Sequence, residues 1–318
     1  MVDVTMLGNA GAVPLPDRAL TSCILTLDGR SILFDCGEGT QTSARKLGVN
    51  LMRVDVIALT HYHGDHIFGL PGLIQSLNLG ERTRPLYITG PVRNGGTIEQ
   101  EISLLLALAG KASFEVIPVE MPSEGLSLHN LIPEWPELAK LSAFPTDHRV
   151  TSCGYSFELG RRGRFYPEKA AKLGVPKVMW KRLQNGENVS FEAENGETVN
   201  VEPSDVMGRP RQGIKVAFSG DTRFCSSLCD GAKDSDLFIC ESTYGEDEQE
   251  ETAFEYGHMT FSQAGRAAML AGAKRLWLTH FSQRIARPED FLEAAQGQFP
   301  GAEAAYDGKS ISLEFEGK

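Results

Sequence analysis

The six residues His61-Tyr62-His63-Gly64-Asp65-His66 hold three imidazoles and a carboxylate directly after the apolar run Val54 to Thr60. Four such groups at the end of a buried strand would each need a hydrogen-bond partner, and shared metal ions remove that need. Alternate residues of an extended chain point the same way, so His61 and His63 are placed to share one ion. Asp65 and His66, beyond the turn at Gly64, face a second. One cluster does not complete two coordination shells. The chain has seven His in all, and three further candidate ligands each end an apolar, strand-like run: His148 after Pro145, Asp221 in Ser219-Gly220-Asp221-Thr222, and His280 after Thr279. Strand carboxyl ends gather on one edge of a sheet, where open α/β folds place their sites. His129, in the polar stretch Ser127 to Asn130, reads as a surface residue. Glu241 follows the run Leu237 to Cys240 and His258 precedes Thr260, making them candidates for a proton-donating pair.

The elements that must carry these groups follow from pattern. Val2 to Leu7, Ser22 to Leu27 and Ser31 to Phe34 read as a hairpin-connected meander with an Asp28-Gly29 turn. Strands are expected at 54–60, 85–89, 114–119, 140–145, 153–159, 215–219, 237–240 and 275–279. Helices are expected from Gly69 to Leu79, from Thr97 to Leu108, over the Ala-rich stretch Ala264 to Ala273, and from Glu289 to Gln296 after Pro288. Thr260 and Gln263 have capping-box spacing before the Ala-rich stretch. Strands then helices, twice, with a hairpin-connected start, fit a four-layer αββα sandwich better than a single doubly wound sheet.

At 318 residues, 41% hydrophobic and 23% charged, the chain is neither disordered nor fibrous. No apolar run approaches the roughly 18 residues of a membrane span and no leader is evident, so a soluble, cytoplasmic protein is expected. The six cysteines show no disulfide framework, and Cys225 and Cys229 lack the second pair of a structural zinc site. The net charge of −11 argues against a nucleic-acid partner until its distribution is read. Between Arg161 and Arg182 stand eight bases (Arg161, Arg162, Arg164, Lys169, Lys172, Lys177, Lys181, Arg182) against Glu168 alone, a net of +7 that leaves −18 for everything else. From 160 to 213 the texture changes to basic residues, Pro and Gly with little period, and reads as an arm inserted in a 1–318 catalytic domain. A stretch this one-sided is a candidate polyanion contact.

Together these motifs resemble the metallo-β-lactamase superfamily and, within it, the ribonuclease Z family of tRNA 3′-processing endonucleases. The resemblance is carried by Asn9 to Pro14 with Arg18, His66 to Leu73, Cys240-Glu241-Ser242-Thr243, Tyr256 to Thr260 and Thr279 to Arg284. It implies one zinc on His61, His63 and His148, a second on Asp65, His66 and His280, and Asp221 bridging both; manganese or another divalent ion is the alternative. It implies hydroxide, oriented by Asp65, attacking a phosphodiester of precursor tRNA, with Glu241 and His258 protonating the leaving oxygen. The products are then a tRNA 3′-hydroxyl and a 5′-phosphorylated trailer. Thr260 and Arg284 are expected to contact phosphate. The basic residues Arg161, Arg162, Arg164, Lys177, Lys181 and Arg182 are expected to form a flexible arm gripping tRNA, in a homodimer. Two positions depart from the family pattern: Lys177-Val178-Met179-Trp180 replaces a Gly-Pro-rich tip, and Ala19 stands where Asn is common. The alternatives are a superfamily phosphodiesterase acting on small or cyclic nucleotides, or a non-catalytic RNA-binding relative.

Overall fold

The computed structural model describes residues 1–93, 95–193 and 196–317. Its strands are β1 (Val2–Gly8), β2 (Ser22–Leu27), β3 (Arg30–Phe34), β4 (Val54–Ala58), β5 (Leu86–Thr89), β6 (Val116–Pro118), β7 (Leu126–Ser127), β8 (Ala139–Pro145), β9 (Cys153–Arg161), β10 (Val189–Glu192), β11 (Thr198–Val201), β12 (Arg211–Phe218), β13 (Leu237–Glu241), β14 (Leu276–Thr279), β15 (Ala302–Ala304) and β16 (Ser310–Leu313). Two seven-stranded mixed sheets result, ordered β16-β1-β2-β3-β4-β5-β6 and β15-β14-β13-β12-β9-β8-β7. Asp28 and Gly29 both take positive φ, which sets the right-handed twist of the β2–β3 hairpin. From β3 to β6 the first sheet runs parallel, as β12 to β15 do in the second.

The inner faces of the sheets meet through aromatic side chains. Phe34 of β3 stacks on Phe218 of β12 at 5.5 Å and lies 6.1 Å from Tyr155 of β9. Burying one such ring contributes about 1.5–3 kcal/mol. Helices cover the outer faces. The helix Leu70–Leu79 buries Leu70, Leu73, Ile74 and Leu77, and the helix Ile98–Ala109, boxed at its start by Thr97 and Gln100, buries Ile98, Ile102 and Leu105. Both stripes pack with Leu33, Ile57 and Ile88 of the first sheet. On the second sheet the helix Phe261–Ala271 lays Ala264, Ala267, Ala268 and Ala271 against Phe238, Leu276 and Leu278. Small residues on that stripe let helix and sheet approach closely. The expected Thr260–Gln263 capping box is present in full.

These main bodies of strand and helix match the expected pattern, whereas β15, β16 and the helix Thr40–Lys46 are additions. That helix has no apolar stripe and no side-chain cap, so periodicity did not announce it. The C-terminal helix expected over 289–296 forms as a 3₁₀ turn, Pro288–Phe291, followed by Leu292–Gln296. His129 is half-buried and hydrogen-bonded through Nδ1 to the Trp135 carbonyl at 2.8 Å, not simply a surface residue. All six cysteines are free thiols.

The chain divides into two compact units, one of Met1–Glu158 with Ile214–Glu314, the other of Leu159–Gly213 with the tail from Phe315. The second unit is more ordered than its sequence texture suggests. Short helices and the β10–β11 hairpin enclose a core of Ala170, Val175, Leu183, Val189, Val201 and Val206. Trp180, at the altered tip, packs on Phe165 at 5.5 Å and donates its indole N–H to the Val175 carbonyl at 2.9 Å.

Candidate metal centre

Every expected ligand lies at or just beyond the carboxyl end of a strand. β4 leads into His61, His63, Asp65 and His66, β8 into His148, β12 into Asp221, β13 ends on Glu241, and β14 leads into His280. Close approach of these ends needs glycine at two places. Gly220, with positive φ, packs where a Cβ would stand 2.6 Å from that of Thr60, and a Cβ on Gly257 would stand 2.6 Å from His148 Nδ1. His280 itself takes φ 59°, a conformation that a non-glycine residue holds only when its surroundings impose it.

The structure brings all seven expected ligands into one cleft as two donor sets. In the first, His61 Nε2 lies 3.0 Å from His63 Nδ1, His148 Nε2 lies 3.3 Å from that same nitrogen, and Asp221 Oδ2 stands 3.7 Å from His61 Nε2. In the second, His66 Nε2 and His280 Nε2 are 3.3 Å apart, each is 3.5 Å from Asp65 Oδ2, and Asp221 Oδ1 lies 3.4 and 3.3 Å from them. Donors of a tetrahedral zinc with bonds of about 2.0–2.1 Å stand about 3.3–3.4 Å apart, so the spacing suits a shared ion. Asp221 is 3% exposed, and its Oδ1 is buried with no hydrogen-bond donor. A carboxylate oxygen left so is costly unless a cation faces it. The residues therefore fit metal ions. Among the described residues the groups able to hold an ion are these sets, with Asp221, His258 and His280 as an overlapping third.

The outer nitrogens are held so that the inner ones point inward. His66 Nδ1 donates to Asp35 Oδ2 at 2.7 Å, His148 Nδ1 to the Gly257 carbonyl at 2.8 Å, and His280 Nδ1 pairs with Thr243 Oγ1 at 2.9 Å. Such partners fix the tautomer and leave the inward nitrogen a lone pair. Burial depresses the pKa of His61, His63 and His148, keeping their rings neutral as ligands must be. His66 differs. Burial opposes its charge, but the Asp221 and Asp35 carboxylates outweigh that and raise its pKa well above the usual value. Asp65 Oδ2 also accepts from the Ala12 amide at 2.8 Å, which ties the amino-terminal loop to the cleft.

Beside the two sets, Glu241 and His258 do meet, Oε1 to Nδ1 at 2.9 Å. Glu241 is buried, and its carboxylate also accepts from the Thr222 and Thr243 amides and the Thr243 hydroxyl. Burial pulls the His258 pKa down, yet Glu241 overrides it and raises the value to about 9. An imidazole with its pKa so raised carries its proton at neutral pH, the form that general-acid chemistry requires.

Two contributors escaped sequence reasoning. Asp35 follows β3 as the other site residues follow their strands, and it also takes the Thr60 amide and hydroxyl at 2.8 and 2.9 Å. Its strand-end position was the available signal. Thr243 touches Glu241, His258 and His280 through one hydroxyl, a role no spacing reveals. Of the expected phosphate contacts, Thr260 is 1% exposed and serves as a helix cap, with its hydroxyl also 3.4 Å from Asp247. Arg284 is exposed.

The basic residues lie within the second unit. Arg164, Lys177, Lys181 and Arg182 are exposed, Arg182 pairing with Glu187 at 2.9 Å. Arg161 donates to the Glu316 and Gly317 carbonyls and stacks on Phe315, while Arg162 is half-buried and has its carbonyl bonded by Arg211.

Paired sheets with a histidine- and aspartate-lined edge define a class, the metallo-beta-lactamase superfamily, whose family model matches residues 17–138. Within that class, the ribonuclease Z of Lachnoclostridium phytofermentans is 40% identical over 318 residues, covering 99% of each chain, and that of Lachnospira eligens is also 40% identical with 99% of each covered. The crystal structure of human tRNase Z, short form, matches with a TM-score of 0.66 and 28% identity over 98% of this chain and 100% of its own. The chain belongs to the ribonuclease Z family.

Proposed function

We propose that this protein removes the 3′ trailer from precursor tRNA by metal-dependent hydrolysis of a phosphodiester, leaving a tRNA 3′-hydroxyl and a 5′-phosphorylated trailer. The observation that carries this reading is the buried Asp221, whose two oxygens face the two donor sets while Oδ1 accepts no hydrogen bond. Two divalent cations, zinc by donor chemistry, would be held by His61, His63 and His148 and by Asp65, His66 and His280 with Asp221 between. Such a pair supplies an acidified water and neutralises charge on the attacking and leaving oxygens of an in-line displacement.

This chain's side chains do the rest. Asp65, anchored by the Ala12 amide, is placed to orient the attacking water. His258 holds its Nδ1 proton against Glu241 and delivers the Nε2 proton to the departing 3′-oxygen, so the tRNA leaves as an alcohol and not an alkoxide. The Thr243 and Met259 amides donate to Glu241 and hold it oriented for that task. Arg284 is a candidate phosphate contact. The basic residues of the 160–213 arm take the polyanion, since each phosphate they neutralise adds a salt-dependent counterion-release contribution that an acidic body lacks. A homodimer and a cytoplasmic setting belong to the same reading. No described helix is long and apolar enough to cross a membrane.

The deciding experiment is cleavage of a precursor tRNA with and without chelator, the cut mapped at nucleotide resolution. A chelator-sensitive cut immediately 3′ of the discriminator nucleotide is expected. Hydrolysis of an aryl phosphodiester with no action on the precursor would instead favour a small-molecule phosphodiesterase.

A further inference from the structure

A cavity of about 390 Å³ opens beside the metal centre, lined by Tyr62, His63, Phe68, Arg93, Leu104 and Leu108 among others. Its rim is unusual for a site that handles phosphate. Phe68 is 65% exposed, Leu104 69% and Leu108 68%, so three large apolar side chains face outward together. The polar members are fixed. The Tyr62 hydroxyl donates to the Pro91 carbonyl at 2.9 Å, and Arg93 is held to Glu101 by Nη2 at 2.6 Å and Nε at 2.8 Å. An Arg93 so tethered still presents a side chain 71% exposed.

His63 joins this cavity to the chemistry, for the ring that forms part of its wall also places Nδ1 3.0 Å from His61 Nε2. Whatever fills the cavity is therefore contiguous with the reacting phosphate. The only chemistry that adjoins a phosphate in RNA and prefers an apolar, aromatic surface is the nucleobase, whose flat face stacks on a phenyl ring whatever its sequence. The volume falls in the lower part of the range that accepts one small ligand and does not admit a stem.

We infer that this cavity seats the base of the first trailer nucleotide, with Phe68 as the stacking platform and Leu104 and Leu108 as the opposing wall. The inference rests on the proposed direction of cleavage. His148 packs against both His258 and His63, its ring centroid 5.2 and 5.1 Å from theirs, while His63 belongs to the first donor set and His258 pairs with Glu241. If His258 protonates the oxygen that stays with the tRNA, the tRNA side of the phosphate lies toward His258. The nucleotide across the cut then lies toward His63 and the cavity. Arg93 is placed to meet the next phosphate of the trailer.

The test uses precursor tRNAs whose first trailer position is a normal nucleotide, an abasic ribose or 2-aminopurine. On the wild-type protein the abasic substitution is expected to lower kcat/KM about tenfold, the order of one base–aromatic stack. Phe68→Ala and Leu104→Ala should each lose a similar factor on the normal precursor, and the abasic change should cost them no more than about twofold further. In a His258→Ala background, where binding outlasts cleavage, 2-aminopurine fluorescence should be quenched on binding and recover when Phe68→Ala is added. Equal losses by the variants on normal and abasic precursors, or quenching that survives Phe68→Ala, would overturn the assignment. So would a Leu104→Glu protein that sediments as a smaller species with the base effect intact, which would give this face to a second copy of the chain. Failure to cut any precursor would count against the proposed reaction, while the fluorescence result would still decide the pocket.

Discussion

The metal centre and the basic unit solve opposite problems. At the centre, Asp221, Glu241, His61, His66 and His280 are all buried, and Glu241 and the outer nitrogens of His66 and His280 each have a named partner within about 3 Å, whereas Asp221 Oδ1 accepts no hydrogen bond. In the second unit the charged groups lie mostly on the surface of a small apolar core, and their pairs, such as Arg182 with Glu187, are solvent-exposed. Buried polar groups act through position, so one lost partner leaves another group unsatisfied. Exposed charges act through number, because screened interactions of similar size are interchangeable. The two regions should therefore respond to mutation on different scales.

The largest effect is expected at Asp221. Asp221→Ala should lower kcat on precursor tRNA by about a thousandfold or more, the worth of several kcal/mol of lost charge stabilisation, and bound metal should fall below two equivalents by elemental analysis. Full metal content with normal turnover would remove the distinction between the regions. Next, His258→Ala should cost about 10²- to 10⁴-fold in kcat with metal content retained, separating proton transfer from ion binding.

Partners one step removed come third. Asp35→Asn and Thr243→Val should weaken metal affinity by about 10- to 100-fold, read by competition with a chromophoric chelator, because they orient His66 and His280 without facing the ion. Thr243→Ser should restore most of the loss. Fourth, in metal-free protein the Glu241–His258 pair contributes stability that is complete below pH 6.5 and is lost as pH rises through about 9, because the folded pKa of His258 is raised above its ordinary value. Denaturant titrations across that window should show the decline, and Glu241→Gln should abolish it. The smallest effect belongs to the basic unit. Arg164→Gln or Lys181→Gln alone should raise KM for tRNA only a few-fold and reduce the slope of log K against log salt by about one. A hundredfold loss from either would mean that a fixed contact, not pooled charge, does the binding.

How much of this was legible differs between the regions as well. The His61 to His66 cluster stood out because imidazoles and a carboxylate directly after the apolar run ending at Thr60 have no cheap structural explanation. His148, Asp221 and His280 stood out because each ends an apolar run. The second unit was legible as charge but not as structure, since its core is built from single residues on short helices and a hairpin, too brief to show a period. The apolar cavity beside His63 was invisible too, because Phe68 and Leu104 come from segments whose local patterns are satisfied without it.

The chain's own order of residues determined which side chains can bind cations or move protons, and that the cation ligands and Glu241 stand at or just beyond strand ends, because donor chemistry and hydrophobic alternation are local properties. Folding alone decided that Asp221 turns one oxygen to each donor set, that Thr243 touches both His280 and Glu241, and that Asp35 holds His66. Contacts in the site join residues as far apart as Asp65 and His280, 215 positions along the chain. They exist only where the parallel strands of two sheets bring their carboxyl ends to a common edge, and that arrangement is a property of packing.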